Sequence, residues 1–179
     1  ISVLGYLGYQ KFIQEPKETE AMNEMFQAQV YFEDALIASE KDSLFNLSLN
    51  GANGKFGFVD IIDNYGGTNA ANLATYYTGI AYLNTSKYQE AIQYLDKFKA
   101  NDTNVAPIAK GAIGDAFAQL EQPVEALKYY ERAASMSSSE LTAPRFLLKA
   151  GITATTLGKT AIALKHFNVI IEKYPKSPE

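Results

Sequence analysis

Asn72-Leu73-Ala74-Thr75-Tyr76-Tyr77-Thr78-Gly79-Ile80-Ala81-Tyr82 is followed by Tyr88-Gln89-Glu90-Ala91-Ile92-Gln93-Tyr94-Leu95. The same pattern returns twice. Ala112-Ile113-Gly114-Asp115-Ala116-Phe117 precedes Val124-Glu125-Ala126-Leu127-Lys128-Tyr129-Tyr130. Lys149-Ala150-Gly151-Ile152-Thr153-Ala154 precedes Ala161-Ile162-Ala163-Leu164-Lys165-His166-Phe167. Gly79, Gly114 and Gly151 are spaced 35 and 37 residues apart, and so are Ala91, Ala126 and Ala163. Ile92, Leu127 and Leu164 move with them, as do Leu95, Tyr130 and Phe167. Four columns moving together mark an internal repeat.

Each unit reads as two helices joined by a short turn. Gly at the eighth position and Ala at the twentieth suit close helix crossings, and larger residues at positions eleven and twenty-four fill the space beside them, Tyr82 with Leu95 and Phe117 with Tyr130, while the third unit has Ala154 with Phe167. The turns are Asn84-Thr85-Ser86, Glu121-Gln122-Pro123 and Leu157-Gly158-Lys159. Proline at 123 suits a first helical turn. The two extra residues of the second interval fit the polar run from Ser135 to Glu140, which reads as a loop. One such unit cannot cover its own apolar face, so the units must stack.

The Gly–aromatic–Ala–aromatic columns over residues 72–175 resemble the tetratricopeptide repeat (TPR) family. The usual Trp at position four is Thr75, Lys110 and Leu147, and the closing Pro appears only as Pro175. The resemblance implies an all-α, right-handed superhelical TPR-like solenoid of helix-turn-helix repeats. The units run over about 72–105, 107–140 and 144–177, inside a repeat region 68–179. It also implies a concave groove lined by the first helices. The positions facing it are Leu73, Tyr76, Ile80, Leu83 and Asn84, then Ile108, Gly111, Asp115, Ala118 and Gln119, then Arg145, Leu148, Ile152, Thr155 and Thr156. Tyr and Arg are common interface anchors. Such a groove accepts an extended segment or an amphipathic helix. The other reading is that these residues pack against a helix of the same chain.

Residues 17–67 are less regular and read as a degenerate helical pair with an insertion, capping the array. Glu18 to Ser39 carries an apolar stripe that includes Met22, Met25, Phe26, Phe32 and Leu36. Asn50-Gly51-Ala52-Asn53-Gly54 is a turn-rich break. Phe56 to Tyr65 reads as a short buried helix ended by Gly66-Gly67, with a strand over 55–62 as the alternative.

Residues 1–9 carry no charge, and Gln10, Lys11 and Glu15-Pro16-Lys17-Glu18 follow. Nine residues rise only about 14 Å as a helix, under half of a hydrocarbon core of about 30 Å. Residues 1–16 are expected to be the end of a truncated transmembrane helix plus its juxtamembrane segment. A buried first helix or a disordered leader is the alternative. The flank has no basic excess, which places the folded part on the extracytoplasmic, periplasmic side. Taken whole, the layout resembles bacterial membrane-anchored envelope TPR proteins similar to the ancillary subunit of the Sec translocon. That resemblance implies partners among envelope or membrane proteins or unfolded segments, with a homo-oligomer as a further possibility.

Composition bounds the chemistry. The 179 residues are 47% hydrophobic and 20% charged, a globular balance that speaks against disorder. No cysteine is present and His166 is the sole histidine, so thiol nucleophiles, disulfides and Cys- or His-rich metal sites are excluded. Net charge is −4, without the basic face that nucleic-acid binding uses. Residues 1–71 hold 4 basic and 10 acidic side chains, while residues 72–179 hold 12 and 10.

No catalytic constellation is assigned, and neither metal nor cofactor is expected. His166 beside Phe167 offers a general base without a visible nucleophile. Asp60 and Asp63 share one helix face, as a cation or acid–base pair would, or as a solvated edge does. Gly51, Gly54 and Gly57 around Lys55 lack the phosphate-loop pattern. Asn46, Asn84 and Asn101 head Asn-x-Ser/Thr sequences that matter only in a glycosylating pathway. The expected function is protein–protein interaction, with oligomerisation, and less so an enzyme or a small-ligand protein, as rivals.

Overall fold

The computed structural model describes residues 3–100, 103–137 and 139–179. Ile1, Ser2, Asn101 and Ser138, which enter the sequence reading, lie outside the described residues. The chain divides into two compact units, residues 1–87 and 88–179. Among the described residues all regular structure is helical, apart from one isolated bridge between Ala52 and Lys55. The alternative of a strand over 55–62 therefore falls away.

In the first unit, α1 (Val3–Tyr9) runs through a π-turn (Gln10–Gln14) into α2 (Glu15–Ile37). No residue of α1 or of the π-turn is buried. The membrane expectation is corrected here. No helix among the described residues is long and apolar enough to cross a membrane. The uncharged α1 has only seven residues, and the helix beyond it carries Lys11, Glu15, Lys17 and Glu18. Anchoring through an N-terminal helix, and the extracytoplasmic location inferred from it, lose their basis.

α3 (Lys41–Asn50), α4 (Phe58–Asn64) and α5 (Asn69–Asn84) complete the unit. Helix α3 was not expected from the sequence. Its core is aromatic: the Phe32 ring meets those of Phe45, Phe58 and Tyr77 edge-on at 5.5, 6.0 and 5.0 Å, and Phe58 stacks on Tyr77 at 5.1 Å. Such ring pairs add about 0.5–1.5 kcal/mol beyond their burial. Asn53 and Gly54 both take left-handed backbone in the turn closed by Lys55 N–H donating to the Ala52 carbonyl. Asn-Gly is the pair that tolerates this.

The start of α5 is held from a distance. Thr68 Oγ1 accepts from the Ala71 N–H at 3.0 Å. The Glu18 carboxylate on α2 accepts from the N–H groups of Asn69 and Ala70 at 2.6 and 2.7 Å. Lys17 Nζ and Gln14 Nε2 donate to the carbonyls of Gly66 and Gly67. The end of the π-turn and the first turn of α2 thus hold the loop into α5 together.

Thr78 on α5 is fully buried, and its hydroxyl has no hydrogen-bond partner among the described residues. A buried unpaired hydroxyl costs about 1–3 kcal/mol, whereas Val fills nearly the same shape. Thr78→Val is therefore expected to stabilise the protein by about 1 kcal/mol. That corresponds to a rise in Tm of about 2–4 °C in calorimetry.

The second unit contains α6 (Tyr88–Lys97), α7 (Val105–Gln119), α8 (Pro123–Met136), α9 (Thr142–Thr156) and α10 (Thr160–Lys173). α7 pairs with α8 and α9 with α10, and α9 also packs along α8. The core between them is Leu127 and Tyr130 with Ala126 and Ala133 of α8, against Phe146, Ala150 and Ala154 of α9. Alanines let the helix axes approach, and the rings fill what remains. A Cβ built on Gly114 would lie 2.6 Å from the Tyr130 ring, and one on Gly151 would lie 2.3 Å from the Phe167 ring. The glycine column and the aromatic column therefore meet within each of these two units.

The inter-helix turns repeat atom for atom. Ser86, Glu121 and Gly158 all have left-handed backbone, with φ of 60°, 57° and 69°. One residue on, the N–H groups of Lys87, Gln122 and Lys159 each donate at 2.9 Å to the carbonyls of Tyr82, Phe117 and Ala154. This is a Schellman-type helix end, which satisfies orphan carbonyls while reversing the chain. Pro107 and Pro144 are also equivalent: each is fully buried at the third position of its helix, where no N–H donor is needed.

Candidate partner-binding surface

The expected groove residues divide by unit. On α5, Leu73 and Ile80 pack against the first unit's core, alongside Tyr77 and Tyr82. Tyr76 is half-buried with its ring 5.7 Å from that of Tyr77, and burial, then the neighbouring Tyr77, pushes its phenol above the usual range. The Asn84 amide donates to the Ile80 carbonyl of its own helix at 2.9 Å. The first-helix face of this unit is thus largely engaged with its own chain.

In the second unit the same face is more open. Arg145, Leu148 and Ile152 fall on one stripe of α9, at steps of three and four residues. Arg145 is exposed, Leu148 half-buried, and Ile152 55% exposed. On α7, Ile108 is 38% exposed and Gln119 is exposed, with Tyr88 donating to its amide oxygen at 3.4 Å. Gly111, read as facing the groove, is instead buried under Phe146 of α9.

Asp115 has a structural task that the sequence reading missed. Its Oδ1 accepts from the Tyr130 hydroxyl at 2.7 Å and from Lys149 Nζ, so one carboxylate ties α7, α8 and α9 together. Lys149 Nζ also lies 5.5 Å from the centre of the Tyr130 ring. The signal was present in the sequence, since Asp115 and Lys149 are both polar beside buried columns, but their 34-residue separation hid the pairing. Burial first, and then the charge and hydrogen bond of Asp115, push the Tyr130 phenol well above its usual value of 10. In the unfolded chain that phenol ionises near 10; in the folded chain it stays protonated. The stability it contributes is complete below pH 10 and drains away as pH rises beyond it. Tyr130→Phe is expected to lessen the alkaline loss of stability. Absorbance titration at about 295 nm, folded against unfolded, should show one phenol fewer ionising late.

Two of the three titratable residues singled out in the sequence make contacts of their own. His166 is buried, with Nε2 2.9 Å from Glu131 Oε1 on α8. Asp60 accepts from the Gly57 N–H at 2.9 Å and so supports the start of α4, while Asp63 is exposed. No group of three or more metal-ligating side chains is gathered among the described residues.

The tetratricopeptide repeat family model matches residues 73–104 and 146–177. Those stretches coincide closely with the first and third units. The middle unit shares their turn geometry and the third unit's glycine–ring contact, so the fold is an all-α, TPR-like solenoid. No curated protein matches the chain significantly.

Proposed function

We propose that this chain is a non-catalytic scaffold that binds a partner protein, or an extended segment of one, on the first-helix face of its repeats. Tetratricopeptide repeats are generally protein–protein interaction modules. The observation that carries the reading is the Arg145–Leu148–Ile152 stripe on α9. It combines a cation, a half-buried leucine and an isoleucine 55% exposed, although the column residues around it are buried. A preformed helical face lowers the ordering cost of binding. The net charge of −4 argues for protein rather than nucleic acid as the partner.

The test is crosslinking capture from native extract with the wild-type chain beside Arg145→Glu/Ile152→Asp. Both sites are exposed, so the variant is expected to keep its helicity and Tm. A protein captured by wild type and lost in the variant identifies the face and the partner. A set of captured proteins that is the same for both removes this face from consideration. If wild type captures nothing while sedimenting as a concentration-dependent oligomer, the oligomerisation reading takes its place.

A further inference from the structure

Several helices of this chain present large apolar side chains to solvent, α10 and the N-terminal helix among them, and the repeat itself shows what covers such a face. In α8, Leu127 is 4% exposed because it packs in one cluster with Phe146, Ala150 and Ala154 of α9. Leu164 of α10 stands in the same repeat column and is 55% exposed, and Ile171 two turns on is 69% exposed. The repeat therefore specifies the occupant of the α10 face: a helix carrying a bulky apolar residue followed, one turn later, by a small one.

The N-terminal helix fits that description. Val3, Leu4, Leu7, Phe12 and Ile13 are each at least 55% exposed, and no residue of α1 or of the π-turn is buried. Leu4 and Gly8 reproduce the four-residue step from Phe146 to Ala150. Gly8 has no role in its own fold: a Cβ there would meet nothing within 4 Å, whereas those on Gly111, Gly114 and Gly151 would strike rings. A helix-interior glycine otherwise lowers helix stability relative to alanine, so close approach by an outside partner gives it a purpose. Charge agrees. Residues 1–34 carry six acids and two lysines, and residues 159–179 carry four lysines and two glutamates.

We propose that the outer face of α10 in one copy receives α1 of a second copy, head to tail. The contact is heterologous, so each copy keeps one free end of each kind and the association grows past a dimer unless the rotation closes a ring. It uses a surface separate from the Arg145 stripe, and it holds whether or not that stripe binds a partner.

Two variants of the full chain test it by sedimentation over a range of concentration and salt. Leu164→Glu/Ile171→Glu blocks the α10 face, and Leu7→Glu/Phe12→Glu blocks α1 and the π-turn that continues it. All four positions are exposed, so helicity and Tm should stay at wild-type values, and circular dichroism checks this. Wild type is expected to gain mass with concentration, less so at high salt. Each variant alone should be monomeric, with association weakened about tenfold or more. An equimolar mixture of the two should give a one-to-one dimer and nothing larger, because it holds one intact α1 and one intact α10 face. Three results would each overturn the proposal. The first is wild type remaining a monomer throughout. The second is the α10 variant associating like wild type, as symmetric α1–α1 pairing would allow. The third is a monomeric mixture while wild type associates.

Discussion

Gly111→Ala is expected to lower stability by about 3 kcal/mol and Tm by about 6–12 °C. Helix propensity alone predicts the opposite sign, since alanine exceeds glycine by about 1 kcal/mol in a helix interior. The packing reverses it. A Cβ at 111 would lie 2.0 Å from Cε1 and 2.3 Å from Cζ of Phe146. That ring is 5% exposed and belongs to the core shared by α8 and α9, so it cannot swing into solvent. Either the ring leaves its rotamer or α9 moves off α7, and both cost more than the propensity gain. Phe146→Leu in the same chain separates the causes. Alone it should cost about 1 kcal/mol for the lost ring. Combined with Gly111→Ala it should cost less than the two singles added, with a coupling of at least about 1 kcal/mol. Urea unfolding of the four proteins measures this. Additive losses would mean that the ring is not what excludes the methyl.

That contact also marks how far the sequence could be read. Gly114 with Tyr130 and Gly151 with Phe167 were legible because each pair lies in one unit, at a spacing that the columns repeat. The left-handed turn residues fell in the expected turns for the same reason. Gly111 with Phe146 joins successive units 35 residues apart, and no column records it, so Gly111 read as an open groove position although it is buried. Asp115 read as a groove residue too, because the Lys149 and Tyr130 that hold it come from other helices. Helix α3 was missed because Ser43, Asn46, Ser48 and Asn50 are weak helix formers. Only the burial of Phe45 and Leu49 against the first unit's core settles its state. The membrane expectation rests on an uncharged run of nine residues that cannot span by itself, and it is overturned because no helix among the described residues is long and apolar enough to cross a membrane.

Glu18→Ala is expected to cost about 3 kcal/mol through the loss of two hydrogen bonds to one carboxylate. Its two oxygens each accept one backbone N–H, Asn69 at 2.6 Å and Ala70 at 2.7 Å. These are among the donors that a helix leaves orphaned at its start, and a carboxylate there also meets the positive end of the helix dipole. Thr68 supplies the third N–H with its own hydroxyl, so the first turn of α5 is fully served only while Glu18 stands on α2. Bonds to charged acceptors are worth about 1.5–3 kcal/mol each, and two on one carboxylate add incompletely. Glu18→Gln keeps an acceptor and loses the charge, so about half of the loss is expected. Thr68→Ala, an ordinary cap deletion, should cost about 1 kcal/mol. The readouts are the urea midpoint and amide exchange at Asn69 and Ala70. Both amides should exchange faster in Glu18→Ala, while those at the end of α10 stay unchanged. A loss below about 0.5 kcal/mol would show that the α2 grip on this loop contributes nothing beyond what an exposed surface pair does. The Glu-Pro-Lys-Glu stretch and the Gly-Gly-Thr loop stood out in the sequence as two unrelated features. Lys17 on the Gly66 carbonyl and Glu18 on the start of α5 join them into one device, which sets where the repeat array begins.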